Sequence, residues 1–177
     1  SEGRILVVSP KTNRIDQNFK RDAALVGMEE PLHISKEDFL KNEPGPCDTL
    51  ILDECEWAFG VEPNTYRRSI KDPSTGEKMS VEHIKTSGIH DAVFQYIQKY
   101  QPKRIYLLSA TPCEKRMQAW AAARLLGVLK KPDFESFASF REFTHKPRPR
   151  GYSILWLEKK TKKSQEAVRA FLRSFRY

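Results

Sequence analysis

The sequence predicts an α/β fold, a parallel sheet with helices on both faces. Two observations carry this. Short apolar runs at residues 5–8, 50–52 and 105–108 are continuous rather than alternating, which is how strands buried on both faces read. Stretches of helical periodicity lie between them. Strand, helix, strand, helix, strand at this rhythm is the pattern of a parallel sheet.

Taken in order, residues 4–9 form the first strand and end in the loop Ser9-Pro10-Lys11-Thr12-Asn13, rich in hydrogen-bonding groups with one cation. Residues 15–26 follow as a helix, with Ile15, Phe19, Ala23 and Val26 along one side. Residues 31–35 make a short strand and 36–40 a short helix, with Ser35 as its N-cap. The Asn42-Glu43-Pro44-Gly45-Pro46 cluster breaks the chain before the strand at 48–53. Residues 60–88 are polar and turn-rich, a long insertion with room for a small hairpin.

A helix at 89–100 turns Val93, Phe94 and Ile97 inward, and the strand at 105–108 runs into Ser109-Ala110-Thr111-Pro112. Residues 113–126 read as a helix with Met117, Trp120, Ala121 and Leu125 on its core side. Phe134, Phe137, Phe140 and Phe143 recur at every third position, a stripe assigned to packing rather than base stacking. Residues 145–151 are a basic, proline-rich connector, 152–157 open a strand or a helix, and 164–175 form the last helix. The expected domains are a sheet-bearing lobe at 1–130, with the insertion at about 60–88, and a basic helical extension at 131–177.

Of the 177 residues, 39% are hydrophobic and 31% charged, enough apolar material for one core. No apolar run approaches the ~18 residues of a membrane span, and the N-terminus lacks a signal peptide's layout. Cys47, Cys55 and Cys113 form no CxxC pair and fit free thiols in a reducing compartment. The four histidines lack the spacing of a helical metal motif. The expectation is a soluble intracellular protein with no membrane partner. The net charge of +8 is segregated: residues 1–100 hold 13 Lys+Arg against 17 Asp+Glu, and residues 101–177 hold 18 against 6. A cationic half of this kind points to a polyanion, because neutralised phosphates release counterions.

Thr49-Leu50-Ile51-Leu52-Asp53-Glu54-Cys55-Glu56 is the most chemically loaded stretch. An apolar strand runs straight into two adjacent carboxylates. Nucleoside-triphosphate hydrolysis uses such a pair, one acid near Mg²⁺ and the next positioning the attacking water. Alone, the octapeptide supports a core strand with a solvated acidic turn equally well. A metal-dependent nuclease built on Asp53, Glu54 and Glu56 is a third reading, but it needs acids at neighbouring strand ends, which offer Ser-Pro and Ser-Ala instead.

Ser9-Pro10-Lys11-Thr12, Asp53-Glu54-Cys55-Glu56 and Ser109-Ala110-Thr111-Pro112 each follow an apolar strand, in that order. Together they resemble motif Ia, the DExx box and the SAT motif in the first RecA-like lobe of superfamily 2 helicases and translocases. The likeness spans residues 4 to 126. The segment beyond is similar to the Swi/Snf-type branch, with a helix through Trp120, Leu126-Gly127, a phenylalanine-rich stretch and a closing helix.

The resemblance implies an incomplete RecA-like (P-loop NTPase) lobe of a motor using ATP and Mg²⁺ to move on nucleic acid, DNA favoured. Asp53 would hold Mg²⁺, through water, and Glu54 would orient the hydrolytic water. Glu56, Ser109 and Thr111 would couple the nucleotide state to the track, and Ser9, Pro10, Lys11 and Thr12 would meet the phosphate backbone. Glu56 departs from the His or Asp usual in the family.

No GxxxxGK[ST] occurs, so no loop in this sequence cradles a triphosphate. The resemblance therefore implies that the P-loop segment and second lobe lie outside these residues, and that the chain alone is inactive. With a central strand missing, marginal stability, self-association or a partner filling the gap is expected. The alternative is a degenerate, non-catalytic helicase-like module that binds nucleic acid or a protein.

Overall fold

The computed structural model describes every residue except 1–2, 13–17, 28, 111–112, 114, 130–136, 151–152 and 174–177. Its elements are β1 (Ile5–Ser9), α1 (Asn18–Leu25), β2 (Leu32–Ser35), α2 (Lys36–Lys41), β3 (Thr49–Leu52) and a 3₁₀ turn (Cys55–Ala58). There follow β4 (Val61–Lys71), β5 (Lys78–Thr86), α3 (Gly88–Tyr100), β6 (Arg104–Leu107) and α4 (Arg116–Leu125). The chain continues through α5 (Phe137–Thr144), β7 (His145–Arg150), β8 (Ser153–Glu158) and α6 (Lys162–Arg173).

Four strands form a parallel sheet in the order β2-β1-β3-β6. In register, Leu6 lies beside Leu50 and Leu50 beside Ile105, while Val8 lies beside Leu52 and Leu52 beside Leu107. Alternation puts these residues on one face. There they meet Phe39 of α2, Val93, Tyr96 and Ile97 of α3, and Ala121, Ala122 and Leu125 of α4. Fully burying a leucine such as Leu50 or Leu52 contributes roughly 2 kcal/mol. Val7 and His33 share the opposite face, where Phe19 of α1 packs edge-on against His33 at 5.2 Å. Helices therefore flank both sides of the sheet, and the continuous apolar runs follow from that.

The second face opens towards β6. Val7 on β1 is fully buried, whereas Tyr106 on β6 is 48% exposed, and β6 is an edge strand.

Local chemistry sets the helix ends. Ser35 caps α2 as expected, its hydroxyl accepting from the Asp38 amide at 3.1 Å. Ser87 caps α3 in the same way through the His90 amide. The helix expected at 15–26 stops at Leu25, with Ile15 outside the described residues. Val26 lies in a turn and is exposed, and Gly27 takes the left-handed conformation (φ 68°) that ends helices.

The insertion at 60–88 is a long antiparallel hairpin, β4 with β5. Its turn is held by Asp72, whose carboxylate accepts from the Ser74 and Thr75 amides at 2.7 and 3.2 Å.

The C-terminal extension ends in a helix, α6, near where one is expected, but departs from the expected connector. Residues 145–150 are a strand, paired antiparallel with β8 between α5 and α6. In His145-Lys146-Pro147-Arg148-Pro149-Arg150 proline occupies alternate positions. The amides of Lys146, Arg148 and Arg150 remain to pair with β8, while the prolines fall where an edge ribbon needs no donor. A proline-rich segment that reads as a connector is thereby an edge strand.

Helix α4 faces two cores. Ala121, Ala122 and Leu125 join the sheet core. Met117, Ala119, Trp120 and Ala123 pack with Phe137, Phe140 and Val168. The phenylalanine stripe is thus packing where it is described: Phe137 and Phe140 are buried and Phe143 partly so, with Phe134 outside the described residues. Among the described residues no helix is long and apolar enough to cross a membrane. All three cysteines are free.

Candidate functional site

Parallel strands deliver their following loops to one edge of a sheet. Here β1, β3 and β6 lie side by side, so the loops beginning at Ser9, Asp53 and Leu108 emerge together. The chain leaves β1 for β2 on one side and returns to β3 on the other. That makes the β1/β3 boundary a topological switch point, where open α/β sheets bind ligands. Ser9-Thr12 and Asp53-Glu56 flank it.

Main-chain bonds hold the acidic turn from both sides. The Asp53 amide donates to the Val8 carbonyl at 2.9 Å, and the Cys55 amide donates to the Leu108 carbonyl at 3.0 Å. The Trp57 indole N–H reaches back to the Asp53 carbonyl at 2.9 Å. Between these clamps Glu54 sits in the left-handed region, φ 47° and ψ 49°, and its side chain is exposed. A non-glycine residue there costs about 1–2 kcal/mol and persists only where its surroundings impose it. The strain falls on the residue expected to orient water.

Glu56 and Ser109 meet. The Ser109 hydroxyl donates to the Glu56 carboxylate, so the acidic turn and the end of β6 are joined by side chains as well as by backbone. Glu56 also lies close enough to two thiols to affect their ionisation. Burial first, and the Glu56 charge second, push the Cys55 and Cys113 thiols each up to about 12. Both are inert as nucleophiles near neutral pH.

The remaining expected residues divide. Lys11 and Thr12 are exposed and helical, and Pro10 is half-buried. Ser9 is fully buried, its hydroxyl 2.6 Å from His33 Nε2, so a ligand at this loop would meet Lys11 and Thr12 before it. Thr111 lies outside the described residues.

Among the described residues no group of three or more His, Cys, Asp or Glu side chains could cage a metal. A single carboxylate nevertheless fits Mg²⁺, which commonly uses one or two protein carboxylates and completes its shell with water and substrate phosphates. Asp53, half-buried at the end of β3, is the residue of that type here.

Two features lay beyond sequence reasoning. His90 is fully buried beneath the acidic turn. Its Nδ1 lies 2.7 Å from the Ala58 carbonyl and its Nε2 lies 3.3 Å from Arg124 Nη1, tying the 3₁₀ turn to α4. Burial holds its pKa below the ordinary value. The signal was faint: a lone histidine in the first turn of a helix. The second is a cleft of about 380 Å³ beside Glu56, lined by Trp57, Lys85, Lys115, Met117 and Gln118 among others. It draws on three separate stretches of chain, 56–62, 85–87 and 115–118, so no local pattern announces it.

No known protein-family model matches the chain, and no curated protein aligns with it significantly.

Proposed function

We propose that these residues supply part of the motor lobe of a nucleic-acid-dependent ATPase, a superfamily 2 helicase or translocase of Swi/Snf-like type. Its activity would couple ATP hydrolysis to movement on DNA or RNA. The supporting observation is the convergence at one sheet edge of the acidic turn, the Lys11-Thr12 loop and Ser109, with Glu56 and Ser109 hydrogen-bonded.

In this reading Asp53 holds Mg²⁺ through water, and the ion neutralises charge on the transferred phosphoryl group. Glu54, strained and exposed, orients the attacking water. Breaking or making the Glu56–Ser109 bond reports the state of the acidic turn to β6 and on to α4. Lys11 and Thr12 contact backbone phosphate, which positions the track without reading its sequence. The loop that grips the triphosphate and the second lobe belong to the rest of the motor.

The test is DNA-stimulated ATP hydrolysis by the protein together with its triphosphate-binding segment, wild type beside Glu54→Gln. Turnover is expected to fall by roughly 100-fold or more, as when a positioned proton acceptor is lost, with DNA binding retained. Unchanged turnover would sink the assignment of Glu54. The burial of Ser9 against His33 favours, as a second reading, a module that binds without hydrolysing. Its mark is DNA binding with no turnover in any variant.

A further inference from the structure

The C-terminal hairpin carries a cationic surface separate from the strand-end loops. Residues 145–163 contain seven Lys+Arg and one Glu. The ribbon's alternation sets which face Lys146 and Arg148 occupy. Trp156, opposite Pro147, turns inward, its ring 4.1 Å from the Arg141 guanidinium. Lys146, opposite Leu157, and Arg148 therefore share the other face, and all three are exposed.

Lys146, Leu157, Glu158, Lys159, Lys160 and Thr161 line a groove of about 500 Å³ along it. Among the described residues that line it the one acid, Glu158, is engaged, accepting from the Arg116 amide at 3.1 Å. Among the described residues Lys146, Arg148, Lys160, Lys162 and Lys163 make no ion pair. The ribbon is firmly seated: the Lys159 amide donates to the Thr144 carbonyl at 2.8 Å, and Arg116 of α4 bonds both that carbonyl and the Ser164 hydroxyl.

We infer that this groove binds the phosphate backbone of a nucleic acid, without reading sequence. Unpaired cations on a rigid ribbon gain by releasing a polyanion's counterions. Residues two apart on a strand advance roughly 6.8 Å, the axial rise of two phosphates along one nucleic-acid strand. An acidic protein partner fits less well, because protein interfaces centre on aromatic or large apolar anchors. Among the described residues that line the groove, Leu157 is the one apolar side chain. The inference shares with the motor reading the class of ligand and nothing else.

The test is anisotropy of a labelled 20-base-pair DNA duplex, and of a single strand of equal length, titrated with the whole chain at several salt concentrations. The triple variant Lys146→Gln, Arg148→Gln, Lys160→Gln should weaken duplex binding by about 100-fold or more at 0.1 M salt. Its slope of log affinity against log salt should flatten by about 2–3 units, near 0.9 for each lost phosphate contact. Because all three side chains are exposed, its thermal melt should match wild type. If that melt shifts, Lys162→Gln with Lys163→Gln provides the same reading from α6, with a flattening of about 2 units. Unchanged affinity and slope in the variants overturns the inference, as does wild type binding poly-glutamate as tightly as duplex. A hairpin-dependent slope beside absent ATP turnover by the protein together with its triphosphate-binding segment would remove the motor reading and leave this site standing.

Discussion

His90 links the stability of this fold to pH in a way its geometry makes calculable. The Ala58 carbonyl can only accept, so Nδ1 of His90 must carry the hydrogen. Nε2 is then the acceptor for Arg124, and the buried ring is neutral. Burial, opposed by the Ala58 bond, holds the pKa below the ordinary 6.5. The unfolded chain takes up a proton near that value while the folded chain does not. Stability is therefore intact above about pH 6.5 and falls below it. His145, also buried, shifts in the same direction for the same first cause. Each can remove at most about 1.4 kcal/mol per pH unit, or about 2 kcal/mol by pH 5.0.

Lysine partners hold Glu43 and Asp48 below the usual carboxylate range, and the Ser74 hydroxyl does the same for Asp72. These groups lose their contribution only at pH values below about 4.5. Urea unfolding between pH 7.5 and 5.0 thus isolates the histidines. His90→Gln removes its titration and keeps a donor and an acceptor. The slope of stability against pH should fall by up to about 1.4 kcal/mol per pH unit. A variant curve parallel to wild type over that window would refute the neutral, buried assignment.

A double-mutant cycle with Glu56→Gln and Ser109→Ala should show a coupling of about 1–3 kcal/mol in urea unfolding, the range for a charge-assisted hydrogen bond. A coupling near zero would mean the two loops are merely adjacent. Phe140→Ala should lower stability by about 3–5 kcal/mol, since the ring is fully buried between α4 and α6. DNA binding measured where the variant is still folded should not change; a loss there without destabilisation would restore base stacking as the role of the stripe.

Much of the sheet was legible in the chain itself. Continuous apolar runs at β1, β3 and β6 can satisfy their side chains only between two helical layers, and Ser35 announces α2 by cap chemistry. The acidic turn was legible for the same reason: a buried strand that ends in Asp53-Glu54 must place those acids at the sheet edge. The helix at 15–26 was overextended because an apolar Val26 counts the same in a periodic pattern whether or not anything covers it. The 145–151 connector misled because proline's missing amide matters only relative to a partner strand, and β8 was not yet in place.

The sequence by itself determined the four strands of the parallel sheet, where their loops begin and which half of the molecule is cationic. These follow from local pattern, and composition needs no partner. Tertiary structure alone decided that Glu56 meets Ser109, that His90 braces the turn against α4, that Ser9 turns away to His33, and that Lys146, Lys159 and Lys160 share a groove. Each depends on strand order or on the facing of a ribbon. Those are set by the packing of segments tens of residues apart, which no window along the chain contains.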